Sequence, residues 1–157
     1  MKALLAAATV CGALLTSVAQ ADDVQVTTES YGPFGTMHLF QTGDRPAHVG
    51  IFISGDGGWN LGVVDMARSL AVLDSLVVGV DISHYIGQLD GGSDKCTYAA
   101  AQLESMSQYL QKKLDFAKYI TPVLVSYSSG ATMVYSTLAQ SPPTHLQAAS
   151  TWTSAQT

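Results

Sequence analysis

Ser128 is the residue around which covalent chemistry could be organised. It lies in Val123-Leu-Val-Ser-Tyr-Ser-Ser-Gly130, where an apolar run breaks into small residues and continues as a helix-like segment from Ala131 to Gln140. A strand that turns sharply into a helix holds the residue at its apex clear of its neighbours, which is the geometry of a nucleophile elbow. The crowding of such a turn demands small residues two places before and two places after the nucleophile. Ser128 meets this with Ser126 and Gly130, whereas Ser129 would have Tyr127 and Ser126 would have Leu124 two places before. A serine presented in this way attacks an acyl carbonyl when a base takes its proton and backbone amides stabilise the oxyanion.

The amide of Ser129, directly after the candidate nucleophile, is one expected oxyanion donor. The second is expected from the loop after a neighbouring strand, and Gly55-Asp-Gly-Gly58 supplies it through the amides of Asp56 and Gly57. Glycines there let the backbone approach an oxyanion without a Cβ in the way. In elbow folds the orienting acid and the histidine follow the serine in the chain. After Ser128 there is no Asp or Glu and a single histidine, His145. The elbow helix carries the chain away from the catalytic edge for about 12 residues, roughly 18 Å, so His145 is expected at the opposite edge and not as the base. His84, just beyond a strand ending at Asp81, is read as a loop residue on the correct edge. It is the alternative base, with Asp81 or Asp56 as orienting acid, and a solvated surface histidine is the plainer reading. His38 and His48 read as structural. The histidines show no metal-ligand spacing and no nucleotide motif is present, so neither a metal nor a cofactor is expected.

The elements that must position these groups follow from hydrophobic periodicity. Asp23 to Ser30 and Met37 to Thr42 alternate as strands around the turn Tyr31-Gly-Pro-Phe-Gly35. His48 to Ser54 and Leu76 to Val80 are continuous apolar runs, as in strands covered on both faces. Between them Val63, Met66, Ala67, Leu70 and Ala71 recur as one helical face, and after a Gly/Asp/Ser-rich loop so do Ala99, Leu103, Met106, Leu110, Leu114 and Ala117. Pro122 marks the end of that second helix, and Ser141-Pro-Pro143 the end of the elbow helix. Strand–helix alternation with buried parallel-type strands predicts an α/β fold, a doubly wound, mostly parallel sheet with its chemistry at the carboxyl ends of the strands.

At 157 residues, 47% hydrophobic and 12% charged, the chain has room for one domain with a real core. Met1-Lys2, the apolar Ala3 to Val18 and Ala19-Gln-Ala21 predict a secretory signal peptide over residues 1–21, cleaved after Ala21, and a domain over 22–157. The apolar core of the leader is too short to span a bilayer, and no transmembrane segment is expected after cleavage. Cys11 leaves with the leader, so Cys96 is either a thiol whose partner is missing or a buried inert one. Loss of Lys2 leaves six basic against twelve acidic residues without a basic run, which argues against direct nucleic-acid binding.

Three blocks together, Ile53-Ser-Gly-Asp-Gly-Gly-Trp59, Leu76-Val-Val-Gly-Val-Asp-Ile82 and Pro122-Val-Leu-Val-Ser-Tyr-Ser-Ser-Gly-Ala131, resemble the bacterial virulence protein VirJ/AcvB family over about residues 47 to 143. The resemblance implies an α/β-hydrolase-like fold, export to the periplasm, association with type IV secretion and hydrolysis of an ester such as lysyl-phosphatidylglycerol. It places Ser128 at the family's nucleophile and Ser54 to Trp59 at its conserved loop. It implies a lipid or small-molecule ester as substrate and a secretion-system or secreted protein as partner. The alternative is a non-catalytic periplasmic component that binds a secretion partner. Three departures stand out. Ser126 replaces the family's usual glycine, and the tail from Ala149 to Thr157 is polar where an apolar strand would lead to a cysteine able to pair with Cys96. The family's acid and histidine are not found, so the chain is expected to be incomplete at its C-terminal end, a truncated or frame-shifted member.

Overall fold

A computed structural model describes residues 23–91, 96–142 and 144–148. The expected leader at 1–21 and the polar tail at 149–157 lie outside the described residues. Among those residues the sheet has six strands: β1 (Gln25–Ser30), β2 (Thr36–Gln41), β3 (His48–Ile53), β4 (Ser75–Val80), β5 (Val123–Ser126) and β6 (Gln147–Ala148). Their order is β1-β2-β4-β3-β5-β6. β4, β3, β5 and β6 run parallel, and β2 joins β4 antiparallel, with β1 antiparallel on β2. The helices are α1 (Leu61–Ala71), α2 (Ile82–Asp90), α3 (Ala99–Lys113) and α4 (Gly130–Gln140).

Strand alternation decides which helix each side chain meets. Val49, Ile51 and Ile53 of β3, with Leu76, Val78 and Val80 of β4 and Leu124 of β5, pack with Tyr85 of α2, with Leu103, Met106 and Leu110 of α3, and with Met133 and Val134 of α4. The other parity sends Phe52 and Val77, with Phe40, to Val63, Ala67 and Ala71 of α1. Helices therefore cover both faces, and the expected doubly wound, mostly parallel α/β sheet is what forms. Burial on both sides explains why β3 and β4 read as continuous apolar runs; each such side chain contributes about 1.5–3 kcal/mol.

Two element expectations need correction. The segment after Asp81, read as loop, begins with helix α2, whose N-cap is Asp81. Its apolar residues Ile82, Tyr85 and Leu89 share one face, but Gly87 and the Gly/Asp/Ser run that follows mask the period. The α3 face also ends earlier than Ala117. Asp115 adopts φ 55°, the Phe116 N–H donates to the Gln111 carbonyl at 3.0 Å and the Asp115 N–H to Lys112 at 3.3 Å. These bonds close the helix as a left-handed cap, and Ala117 lies exposed beyond it. Cys96 is exposed, so the buried-thiol reading does not hold. Among the described residues no helix is long and apolar enough to cross a membrane.

Candidate functional site

The site is made where β3 and β5 end side by side. Ile53 and Ser126 are register partners, and the Tyr127 N–H donates to the Ile53 carbonyl at 3.1 Å, one step beyond the last strand residue of β5. The chain then reverses within three residues: the Gly130 N–H bonds the Tyr127 carbonyl at 3.1 Å, and the Ala131 N–H bonds that of Ser128 at 3.0 Å. Ser128 takes φ 54° at the apex. Among the described residues the other non-glycine ones with positive φ are Asp74 and Asp115, of a type that tolerates the left-handed region. A serine held there is strained by about 1–3 kcal/mol, and such strain persists only where the surroundings over-determine it. Ser128 is exposed.

What over-determines it is the demand for small neighbours. A Cβ on Gly130 would strike the Ser54 carbonyl oxygen and lie 2.8 Å from that of Ile53, so the first residue of α4 sits directly on the end of β3. Ser126 fits in the glycine-like position on the other side, 1% exposed, with no hydrogen-bond partner for its hydroxyl among the described residues. The turn therefore forms with serine in that place. Gly55 abuts the apex: a Cβ there would lie 3.0 Å from the Ser128 Cβ and 3.5 Å from its Oγ.

The glycine loop is a turn closed by the Gly58 N–H to the Gly55 carbonyl at 2.9 Å, with Gly58 at φ 70°. Asp56 and Gly57 form its exposed corner. Among the described residues the amides of Asp56, Gly57 and Ser129 donate to no protein acceptor, which leaves them available to an anion. The expected nucleophile thus abuts Gly55, the residue directly before Asp56 and Gly57, so the loop and the elbow meet at the ends of β3 and β5.

The histidines fall elsewhere. His145 pairs with Glu104 at 2.9 Å, and the nearby Gln147 N–H bonds Pro122, which precedes β5, so His145 lies at the opposite edge as expected. His84 follows β4 at the same end of the sheet as Ser128, but in the first turn of α2 and not in a loop. Its imidazole packs against Gly35, and its backbone N–H donates to Asp81 Oδ1 at 3.1 Å. Asp81 Oδ2 accepts the Trp59 N–H at 3.0 Å. Both oxygens of Asp81 are therefore engaged by backbone amides, and neither orients the His84 ring. Asp56 contributes its carbonyl to the Ser83 hydroxyl at 3.0 Å. His38 stacks on Trp59 at 5.4 Å, and His48 is exposed at the start of β3. The grip of Asp81 on the glycine loop escapes sequence reasoning, although an Asp three residues before His84 has the spacing of a helix cap.

The sheet order, the glycine loop after β3 and the left-handed serine after β5 together make an α/β-hydrolase-like arrangement. The family model described as "Bacterial virulence protein (VirJ)" matches residues 47–153. Among curated proteins no match is found. Similar solved structures include a lipase in its open form, at 20% identity and a TM-score of 0.47, covering 79% of this chain and 42% of the lipase. Another is a brefeldin A esterase, described as a bacterial homologue of human hormone-sensitive lipase, at 21% identity and a TM-score of 0.47, covering 81% of this chain and 37% of the esterase. The chain therefore spans less than half the length of these two structures.

Proposed function

Because this chain belongs to the VirJ family of bacterial virulence proteins, we propose that its site is that of a serine hydrolase acting on an ester, with Ser128 as nucleophile. One observation carries the reading: Ser128 is held in a left-handed conformation against Gly55, the residue before Asp56 and Gly57, whose amides, like that of Ser129, meet no acceptor among the described residues. In the reaction Ser128 Oγ forms a bond to the ester carbonyl carbon, and negative charge collects on the carbonyl oxygen. The amides of Ser129 and of Asp56 or Gly57 receive that oxygen. One such donor is worth about 10²–10³ in rate. The C–O bond to the leaving alcohol then breaks, and water releases the acid from the acyl-serine. The serine proton passes to a general base, and among the described residues no side chain is hydrogen-bonded to Ser128 Oγ.

The substrate class proposed is a lipid or small-molecule ester, an aminoacyl phospholipid such as lysyl-phosphatidylglycerol being the case the family resemblance implies. The place proposed is the periplasm, reached through cleavage of residues 1–21, with a role beside type IV secretion. A second reading is favoured by the histidines, since His145 is bound to Glu104 at the far edge and His84 faces Gly35. In that reading the same edge holds a secretion partner without turning over an ester.

A fluorophosphonate probe separates the two. It is expected to label the wild-type chain at Ser128 and to leave Ser128→Ala unlabelled, as read by intact mass and peptide mapping. Equal labelling of both, or of neither, removes the catalytic reading. Retention of a secretion partner by both proteins would then favour the binding one.

A further inference from the structure

The first turn of α2 is tied to the glycine loop three times over. The Ile82 N–H donates to the Oγ of fully buried Ser54 at 3.0 Å, the Ser83 hydroxyl to the Asp56 carbonyl at 3.0 Å, and the Trp59 N–H to Asp81 Oδ2 at 3.0 Å. Asp81 is the charged member of this set. One of its oxygens caps α2 through the His84 N–H, an ordinary N-cap bond. The other leaves the helix and crosses to the loop. Gly58 makes that crossing feasible, because a Cβ there would lie 2.8 Å from Asp81 Oδ2 and its φ of 70° suits glycine.

We propose that Asp81 is a positioning residue for the oxyanion loop: its carboxylate locks Trp59 and Gly58 to α2, and so holds the Asp56 and Gly57 amides toward Ser128. The assignment rests on the serine-hydrolase reading and gives Asp81 a place in it other than orienting acid. The carboxylate is required because it accepts at both oxygens, whereas an amide in its place would turn a donor toward one of the two N–H groups. Capping alone needs only one oxygen. Serine caps a helix about as well as aspartate but has no second acceptor, so Asp81→Ser separates the cap from the loop bond.

Amide hydrogen exchange and probe labelling on the full chain test this together. In Asp81→Ser the α2 amides are expected to exchange as in wild type. Exchange at Trp59 should accelerate at least tenfold, and fluorophosphonate labelling of Ser128 should slow about tenfold through the inactivation rate constant at unchanged probe affinity. Asp81→Thr, which also caps a helix through a single hydroxyl, is expected to show the same exchange signature should the serine variant not fold. Wild-type exchange at Trp59 in a folded variant overturns the assignment, as does wild-type labelling with the loop loosened. A wild-type chain that the phosphonate leaves unlabelled removes the hydrolase reading, and the exchange pattern alone then decides whether Asp81 holds the loop.

Discussion

At Ser128 the backbone and the proposed chemistry make the same demand. The left-handed φ that lifts the hydroxyl clear of β5 is tolerated because α4 begins on the carbonyls of Ile53 and Ser54, and only glycine at 130 permits that approach. The neighbours at this position are backbone oxygens, which cannot swing aside as a flexible side chain would. Gly130→Ala is therefore expected to destabilise the fold by about 1–3 kcal/mol, the usual range for overpacking. In the same protein the elbow should relax, and labelling of Ser128 should fall. Urea unfolding measures the first effect and a phosphonate time course the second; wild-type stability would contradict the packing argument. Ser126 shows the complementary case. Its side chain is small enough to be buried beneath the turn, so serine serves sterically in place of glycine, although its hydroxyl is left without a partner among the described residues.

The elements converge because their ends are wired to one another. Asn60 caps α1 by accepting the Gly62 N–H at 3.3 Å, while its amide donates to the Gly57 carbonyl at 3.2 Å. Asn60→Ala is expected to cost about 1 kcal/mol by chemical denaturation, and Asn60→Asp, which still caps, should retain most of that contribution. Equal losses in both would place the effect in the Gly57 bond instead. These connections also explain what the sequence conveyed and what it hid. The β3, β4 and β5 strands were legible as apolar runs because helices cover both faces, and the elbow was legible because crowding restricts residue size at 126 and 130. Helix α2 was not, since a nine-residue segment containing Gly87 offers too few periods to outweigh the glycine-rich stretch after it. The consequence reached the site: His84 read as a loop residue could be imagined turning to Ser128, whereas on α2 its ring packs against Gly35. The end of α3 was likewise hidden, because a left-handed Asp115 is a backbone event with no residue-type signature as strong as glycine.

Across the whole molecule, the larger core lies on the α2, α3 and α4 side of the sheet, and Tyr85 fastens that side together. It is 1% exposed, stacks on Phe34 with ring centroids 4.8 Å apart and planes 8° from parallel, and donates its hydroxyl to Gln102 of α3 at 2.5 Å. Burial raises the Tyr85 pKa above its ordinary 10.0, because the phenolate loses hydration there. Tyr119 is raised too, first by burial and then by the charge of Glu104, against a lowering hydrogen bond with Ser107. The sign of the linkage follows. A phenol with a raised folded-state pKa keeps its proton longer when folded, so its contribution is complete below pH 10 and is lost as pH rises through the folded value. Stability should therefore hold from neutral pH to about 10 and fall beyond it. Tyr85→Phe removes the hydrogen bond to Gln102 and one titrating group together. Its expected signature is a lower urea midpoint at pH 8 and a shallower decline between pH 10 and 11, with Tyr119 supplying the slope that remains. Parallel declines in the two proteins would show that ionisation of Tyr85 does not drive the alkaline loss, and would move the cause to Tyr119 or to the exposed Lys113–Glu29 pair, whose lysine is raised chiefly by its hydrogen bond to Glu29.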